Sequence, residues 1–343
     1  MNKTGVLLAT ALMGTLWSCI DPEIPGEEEV EPTQGVQLTL LEGESRLPAN
    51  VTLFFKADFE DGTPIADLNI SDIEIFEDDE LISTFEADRD FLRDPGEFNY
   101  STLMLLDLSG SVLDGSALAV LKASADQFVD QVFSEDDSET TEIAIYWFDG
   151  EKAIHQLQNF TSNADLLHSQ IASISSGISQ DNSTNLHGAV VQGVDIMERR
   201  MATIQGQDSI LTAGSILVFT DGKDRAGWVS ETEAFNRVNN RAENLSVLSI
   251  GLGAEIDQPS LQQIGSDGFA FVDDLPQLAE TFAQTAASVR GEANSFYIFQ
   301  YCSPKRQGNF TLKIDATKDG QTGTLETTFS ADGFRGGCNV GVR

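Results

Sequence analysis

The sequence predicts an α/β protein built on a doubly wound (Rossmann-like), mostly parallel sheet, with an accessory β-sandwich formed by the N- and C-terminal flanks. Three observations support this fold class. Short, continuous apolar runs in the middle of the chain have the length of strands that are buried on both faces. Stretches with helical spacing separate these runs, as in βαβ crossovers. Both flanks instead contain short alternating apolar runs between turn signals, a pattern typical of half-buried strands.

The chain divides into five segments. Residues 1–18 place Lys3 before a short apolar run and are predicted to be a signal peptide, because the run is too short to span a bilayer. Residues 19–35 are acidic and proline-rich, which predicts an extended tether. Residues 36–98 and 292–343 are the β flanks, and residues 99–291 are the α/β domain between them. We expect the flanks to pack into one sandwich; two separate small β modules are the alternative.

Within the α/β domain, strands and helices are expected to alternate. The expected strands are residues 101–108, 142–148, 153–160, 215–220, 246–251 and 269–272. The expected helices are residues 113–133, 164–174, 186–201, 231–243 and 275–289, with a short one near 260–264. Ligands of such sheets bind outside the carboxyl ends of the strands, so the functional residues should be sought there.

The overall charge argues against nucleic-acid binding. The 343 residues contain 20 Lys and Arg against 55 Asp and Glu, a formal net charge of −35. Phosphate backbones would repel such a chain, and no cluster of basic residues offsets the repulsion. Anionic membrane surfaces are disfavoured for the same reason unless a covalent anchor holds the protein there.

Side chains with oxygen donors follow the predicted strand ends. Asp107, Ser109 and Ser111 end the first strand, Asp221 follows the strand at 215–220, and Thr184 closes a polar loop just before a helix. Oxygen donors suit Mg²⁺, Mn²⁺ or Ca²⁺ better than Zn²⁺ or Cu²⁺. Because only two of the five donors are charged, a bound ion would keep positive character and attract a carboxylate from a partner.

This arrangement resembles the metal-ion-dependent adhesion site (MIDAS) of von Willebrand factor A (vWA) domains, including bacterial vWA-related proteins. The resemblance covers about residues 100–290 and implies a divalent ion, Mg²⁺ or else Mn²⁺ or Ca²⁺. The site roles that it implies fall on Asp107, Ser109, Ser111, Thr184 and Asp221. One departure is that the family's loop threonine usually follows glycines, whereas Asn182 and Ser183 precede Thr184. A domain of this fold whose site has lost its metal is the alternative.

Four residues around the predicted site are candidates for partner binding. Lys223 and Arg225 are positive charges in an acidic protein and are expected to steer an acidic ligand. Trp228 is a candidate interface anchor, and His187 is expected near the rim of the site. The alternatives are solvated loop charges for the two basic residues and packing on the following helix for Trp228.

The end of the apolar leader, Leu16-Trp17-Ser18-Cys19, resembles the lipobox of bacterial lipoproteins. The resemblance implies that Cys19 carries the lipid and that the protein is anchored in the cell envelope, at the outer membrane. An ordinary secretory signal with an incidental cysteine is the alternative.

The two remaining cysteines, Cys302 and Cys338, are expected to form a disulfide, because an isolated pair in an oxidising envelope usually does. Two free thiols or half of a metal site are the alternatives.

These observations lead to a prediction of function as a binding protein, not an enzyme: a lipid-anchored module that captures an acidic residue of a protein partner through its metal. Metal-assisted hydrolysis needs a base or a second metal beside the ion, and the three site loops offer no additional His or Glu. A metal-dependent hydrolase and an envelope scaffold with an unused site are the alternatives.

Overall fold

The computed structural model describes residues 35–92, 98–114, 116–134, 141–208 and 210–340. The predicted signal peptide, Cys19 and the tether up to residue 34 lie outside the described residues. Within the described ranges, no helix is long and apolar enough to cross a membrane.

Strands and helices alternate in the middle of the chain, and strands dominate its two ends. The strands are β1 (Val36–Arg46), β2 (Asn50–Phe59), β3 (Ile73–Glu77), β4 (Glu80–Ile82), β5 (Arg89–Leu92), β6 (Phe98–Asp107), β7 (Thr141–Phe148), β8 (His155–Thr161), β9 (Leu211–Thr220), β10 (Leu245–Leu252), β11 (Gly268–Val272), β12 (Phe296–Cys302), β13 (Asn309–Lys318) and β14 (Gln321–Ser330). The helices are α1 (Gly110–Leu113), α2 (Ala117–Val132), α3 (Ala164–Ser173), α4 (Leu186–Asp208), α5 (Glu231–Asn239), α6 (Gln258–Ile264) and α7 (Leu275–Asn294).

The central sheet has six strands in the order β11-β10-β9-β6-β7-β8. All neighbouring pairs are parallel except β7 and β8, which are antiparallel at one edge. Side chains that alternate along β6 enter different cores: Met104 and Leu106 pack with α2 and α7, whereas Leu103 and Leu105 pack with α4. Helices therefore cover both faces of the sheet, and the predicted doubly wound α/β fold is confirmed.

The two flanks form the accessory sandwich together. One sheet has the order β1-β2-β12-β5 and the other has the order β14-β13-β3-β4, so each contains strands from both ends of the chain. The core between them includes Phe55, Ile75, Phe299 and Ile314, all fully buried. The predicted sandwich is therefore confirmed. Its strands β5 and β12 are antiparallel neighbours, and the whole α/β domain is inserted between them.

The cysteine pair forms the expected disulfide within this sandwich. Cys302 ends β12 and is bonded to Cys338, which follows β14, with 5.8 Å between their Cα atoms. The bond ties the end of the described chain back to a central strand of the first sheet.

Four predicted helices differ clearly from the structure in their bounds, and two of them are longer: α4 and α7 extend past the expected ends at residues 201 and 289 to Asp208 and Asn294. The helix expected at residues 113–133 begins only at Ala117, because Asp114 ends the preceding short helix α1 in an extended conformation (φ −87°, ψ 94°). The helix expected to reach residue 243 ends at Asn239. The Val238 carbonyl, which a continuing helix would pair with residue 242, accepts instead from the Arg241 guanidinium (2.8 Å).

The sandwich and the carboxyl ends of the central strands lie at opposite ends of β6. Phe98, the first residue of β6, packs on Phe54 of β2 and Phe296 of β12, with ring centroids 5.8 and 5.9 Å away. Asp107 is the last residue of the same strand. Nine residue steps of β-strand correspond to about 30 Å, so the predicted metal site is remote from the sandwich.

Candidate metal centre

Three loops meet at the carboxyl edge of the central sheet. The first follows β6, the second precedes α4 and the third follows β9. Strands β6 and β9 are parallel neighbours that pair Leu106 with Phe219, so Asp107 and the residues after Phe219 leave the sheet side by side. Parallel pairing thus places two of the predicted loops in contact.

Asp107 lies at the centre of this edge and is fully buried. Its Oδ1 accepts a hydrogen bond from the backbone N–H of Ser109 (2.9 Å), and its Oδ2 accepts one from the hydroxyl of Thr220 (2.6 Å). Both oxygens keep a second lone pair, because a carboxylate oxygen can accept two hydrogen bonds.

The serine hydroxyls connect Asp107 to Asp221. The Oγ atoms of Ser109 and Ser111 are 3.5 Å apart, and the Ser111 hydroxyl donates to Asp221 Oδ1 (2.8 Å). The loop that carries these serines also approaches the second loop, because the N–H of Gly110 donates to the Asn182 carbonyl (3.3 Å).

Thr184 joins the same group and is almost completely buried. Its carbonyl oxygen accepts from the N–H groups of Arg225 (2.9 Å) and Ala226 (3.1 Å), in the loop after Asp221. Its hydroxyl would lie 3.5 Å from a Cβ atom placed on Gly222. All five residues of the predicted ligand set are therefore brought to one place, although their role as metal ligands stays a prediction.

The environment makes the ionised form of both carboxyls costly. Burial and then the charge of Asp221 raise the pKa of Asp107 to about 7, even though the hydrogen bonds from Thr220 and Ser109 oppose the shift. Burial also raises the pKa of Asp221, with a smaller contribution from the charge of Glu255. Among the ion pairs of the described residues, none involves either carboxyl group.

These features fit a divalent cation. The donors are two carboxylates and three hydroxyls, which is the oxygen-only set that Mg²⁺, Mn²⁺ and Ca²⁺ accept. The buried Asp107 and the half-buried Asp221 have no basic partner among the described residues and repel each other. A cation between them would remove that cost.

A second group of possible metal donors lies next to the site. Ligand atoms of Asp149, Glu151 and His155 are within 4.8 Å of one another in the hairpin between β7 and β8. These two carboxylates and one imidazole are also able to hold a divalent ion. The sequence analysis did not single out these three residues, because the antiparallel pairing of β7 with β8 brings them together.

The predicted partner-binding residues differ in their accessibility. Lys223 is exposed, whereas Arg225 is paired with Glu255 (2.6 Å), a carboxylate that the sequence prediction missed. The His187 side chain is 13% exposed and faces Asp224, with Nδ1 3.7 Å from Oδ2. Trp228 is 56% exposed while its indole N–H donates to the Gly150 carbonyl (3.0 Å). Trp228 is therefore a fixed and accessible aromatic side chain beside the site.

Comparisons with known proteins find similarity in structure only. No protein-family model and no curated protein matches the sequence. The von Willebrand factor type A structure from Catenulispora acidiphila is 10% identical, with a TM-score of 0.47 over 88% of this chain and 75% of that one. The conserved hypothetical protein BatB from Bacteroides thetaiotaomicron is 17% identical, with a TM-score of 0.42 over 56% of this chain and 98% of that one.

A third similar structure is proximal thread matrix protein 1 from the mussel byssus, with a zinc-occupied MIDAS motif. It is 14% identical, with a TM-score of 0.44 over 61% of this chain and 49% of that one, so this chain spans about half of its length. At these identities the similarity concerns the α/β fold.

Metal affinity should depend on pH through Asp107. With a pKa of about 7 in the metal-free protein, this carboxyl holds a proton at pH 6 that an incoming ion must displace. Affinity for Mn²⁺ should therefore fall about tenfold for each pH unit below 7. The same proton stabilises the metal-free fold, because the pKa of Asp107 is higher in the folded chain than in the unfolded chain. The free energy of unfolding without metal should therefore decrease as the pH is raised from about 4 to 7.

Calorimetric titrations with Mn²⁺ at pH 5.5, 6.5 and 7.5 would measure this effect. Titrations at pH 6 in buffers of different ionisation enthalpy would count the proton that is released. An affinity that stays constant between pH 5.5 and 7.5 would contradict the assignment of the raised pKa to a metal ligand.

Proposed function

We propose that this chain is a vWA-type binding protein that holds a divalent ion, Mg²⁺ or else Mn²⁺ or Ca²⁺, and captures a carboxylate of a protein partner through it. Asp107, Ser109, Ser111, Thr184 and Asp221 would hold the ion. The bound ion supplies a positive charge with an open coordination position, where an acidic side chain of the partner binds.

The observation that supports this proposal best is the convergence of two carboxylates and three hydroxyls at one sheet edge, where no basic side chain of the described residues is paired to either carboxylate. A site that required its charge to be balanced internally would place Lys or Arg against Asp107. Arg225, a basic residue of the loop after Asp221, is paired with Glu255 instead.

The surroundings also favour a protein partner. Trp228 presents an exposed ring whose position is set by its hydrogen bond to Gly150, and rigid aromatic side chains of this kind often anchor interfaces. Lys223 adds a positive charge close to Asp221 that would accelerate the approach of an acidic partner. The His187 side chain is mostly buried and faces Asp224, so we assign it no direct contact with a partner.

We propose further that the protein is not an enzyme and that it acts in the bacterial cell envelope, anchored by a lipid on Cys19. Glu255 is a carboxylate near the site that a hydrolase could use as a base, but it is committed to an exposed ion pair with Arg225. The lipid anchor rests on the leader sequence alone.

A pull-down from envelope proteins of the source organism tests the proposed function. The bait is the soluble mature chain, in Mg²⁺ or in EDTA, beside its Asp107→Ala variant. A partner that is lost in EDTA and with the variant supports metal-dependent capture. If a partner is retained in Mg²⁺, in EDTA and with the variant, the interaction lies elsewhere on the protein. Turnover of a substrate by the wild-type chain would instead favour the hydrolase.

A further inference from the structure

We propose that the turn after β7, residues 149–152, positions the metal centre, and that Asn185 is the residue through which this turn sets the location of Thr184. The inference rests on the proposed function, because it concerns affinity for the same ion. Neither Asn185 nor the turn is proposed to touch the metal.

Asn185 directly follows Thr184 and is fully buried. Its backbone N–H donates to the Asp149 carbonyl (2.8 Å), and its side-chain Nδ2 donates to the carbonyls of Glu151 (2.8 Å) and Lys152 (3.2 Å). Its Oδ1 accepts from the N–H of Gly188 (3.2 Å), in the first turn of α4. Because each of these donors and acceptors has a partner, the residue has one well-defined position, and the residue before it is constrained as well.

The turn is itself fixed by Asp149, which is almost completely buried. Asp149 Oδ1 accepts from the N–H of Glu151 (2.9 Å), which closes the turn. Its Oδ2 accepts from the hydroxyl of Ser179 (2.5 Å), in the loop that leads to Thr184. The turn therefore holds the loop at Ser179 and at Asn185, so that residues 180–184, including Thr184, are fixed at both ends.

Close packing at Gly150 also restricts the loop before α4, at Asp181 and Ser183. A Cβ atom on Gly150 would lie 2.7 Å from the Cβ atom of Ser183, which is closer than carbon atoms pack. It would also collide with the carboxylate of Asp181, which is held in place by the N–H of Ser183 (2.9 Å). An alanine at position 150 must therefore displace the residues just before Thr184.

The turn also contacts the third site loop, because the Gly150 carbonyl accepts from the indole of Trp228 (3.0 Å). Two of the three loops that carry metal donors, the one before α4 and the one after β9, thus contact the turn that follows β7, the strand next to β6. Residues that orient metal ligands in this indirect way commonly change metal affinity 10–100-fold when they are replaced.

The test compares Asn185→Asp and Gly150→Ala with the wild-type chain. Aspartate has nearly the same volume and keeps the acceptor for Gly188, but it loses both donors to the turn. Its added negative charge alone would strengthen cation binding, so positioning and simple electrostatics predict opposite results. Gly177→Ala is the matched control, since a Cβ atom at this glycine of the same loop meets nothing within 4 Å.

Affinity for Mn²⁺ is measured by calorimetry, and the melting temperature is measured in EDTA. We expect Asn185→Asp and Gly150→Ala to weaken Mn²⁺ binding about tenfold, and Gly177→Ala to leave it unchanged. In a Thr184→Ala background, Asn185→Asp should cost little further affinity, because both changes affect the same ligand. If Asn185→Asp fails to fold in EDTA, the two glycine variants decide the question.

If Asn185→Asp and Gly150→Ala bind Mn²⁺ as tightly as the wild-type chain does, this inference is overturned and the proposed function is left intact. The inference would also be overturned if Asn185→Asp lowered Mn²⁺ affinity as much in the Thr184→Ala background as in the wild-type chain. A wild-type chain that binds no Mn²⁺ would overturn the proposed function, and the inference would fail with it.

Discussion

Replacing Asp107 with asparagine should strongly weaken the binding of Mn²⁺ and Mg²⁺ while the protein stays folded. Asparagine has the same shape, its carbonyl oxygen can still accept from Ser109, and its amide can donate to the Thr220 oxygen. The change removes a buried charge that Asp221 repels, so the melting temperature in EDTA should stay the same or rise. The loss of one of two charged ligands should weaken Mn²⁺ binding at least about 100-fold.

The measurement is a calorimetric titration with Mn²⁺ beside a thermal melt in EDTA. Asp221→Asn should behave in the same way, because it is the other charged donor. Asp273→Asn is the matched control: this aspartate also follows a strand at the same edge of the sheet, but it is exposed. If Asp107→Asn binds Mn²⁺ as tightly as the wild type does, these residues are not the ligands. If it fails to fold, Asp107 has a structural role.

Removing the disulfide should destabilise the sandwich strongly without changing metal affinity. Cys302 and Cys338 are separated by 36 positions, and opening a loop of that length costs about 4 kcal/mol in the chain-entropy model. The bond lies in the sandwich, at the other end of β6 from Asp107. A double variant, Cys302→Ala with Cys338→Ala, should therefore unfold at lower denaturant concentration and bind Mn²⁺ normally.

Chemical denaturation followed by far-ultraviolet circular dichroism would measure the destabilisation. The wild-type chain in a phosphine reductant is the control, because it loses the bond and keeps both sulfur atoms. Equal stability of the oxidised and reduced wild type would contradict the expectation. A parallel loss of Mn²⁺ affinity would indicate that the sandwich and the site are coupled.

The fold and the place of the site follow from patterns that are local in the sequence. Runs such as the one that ends at Asp107 are too apolar to be anything but buried strands, and their first polar residue marks the edge of the sheet. Parallel topology then brings these edges together whatever the loops between them contain. The sandwich could be predicted in the same way, because alternating runs at both ends of the chain each lack enough partners to form a core alone.

The residues around the site depend on contacts between loops that are far apart in the sequence. Asn185 pairs with a turn more than 30 positions earlier, and Glu255 reaches Arg225 from 30 positions later. Nothing in the local pattern of either residue indicates these contacts. Trp228 illustrates the same limit, since its indole N–H donates to the carbonyl of Gly150, 78 positions earlier in the sequence.

The insertion of the α/β domain between β5 and β12 has a mechanical consequence. Val36, where the chain enters the sandwich, pairs with Phe59, and Phe296, where the chain returns from the α/β domain, pairs with Lys56. If a ligand at the metal site were pulled away from the chain before Val36, the force would therefore enter and leave the sheet β1-β2-β12-β5 at the same end. It would load the hydrogen bonds at the start of β1 and β12, and at the end of β2, one after another. Cys302, opposite Asn50 at the far end of β12, would remain outside the path of the force.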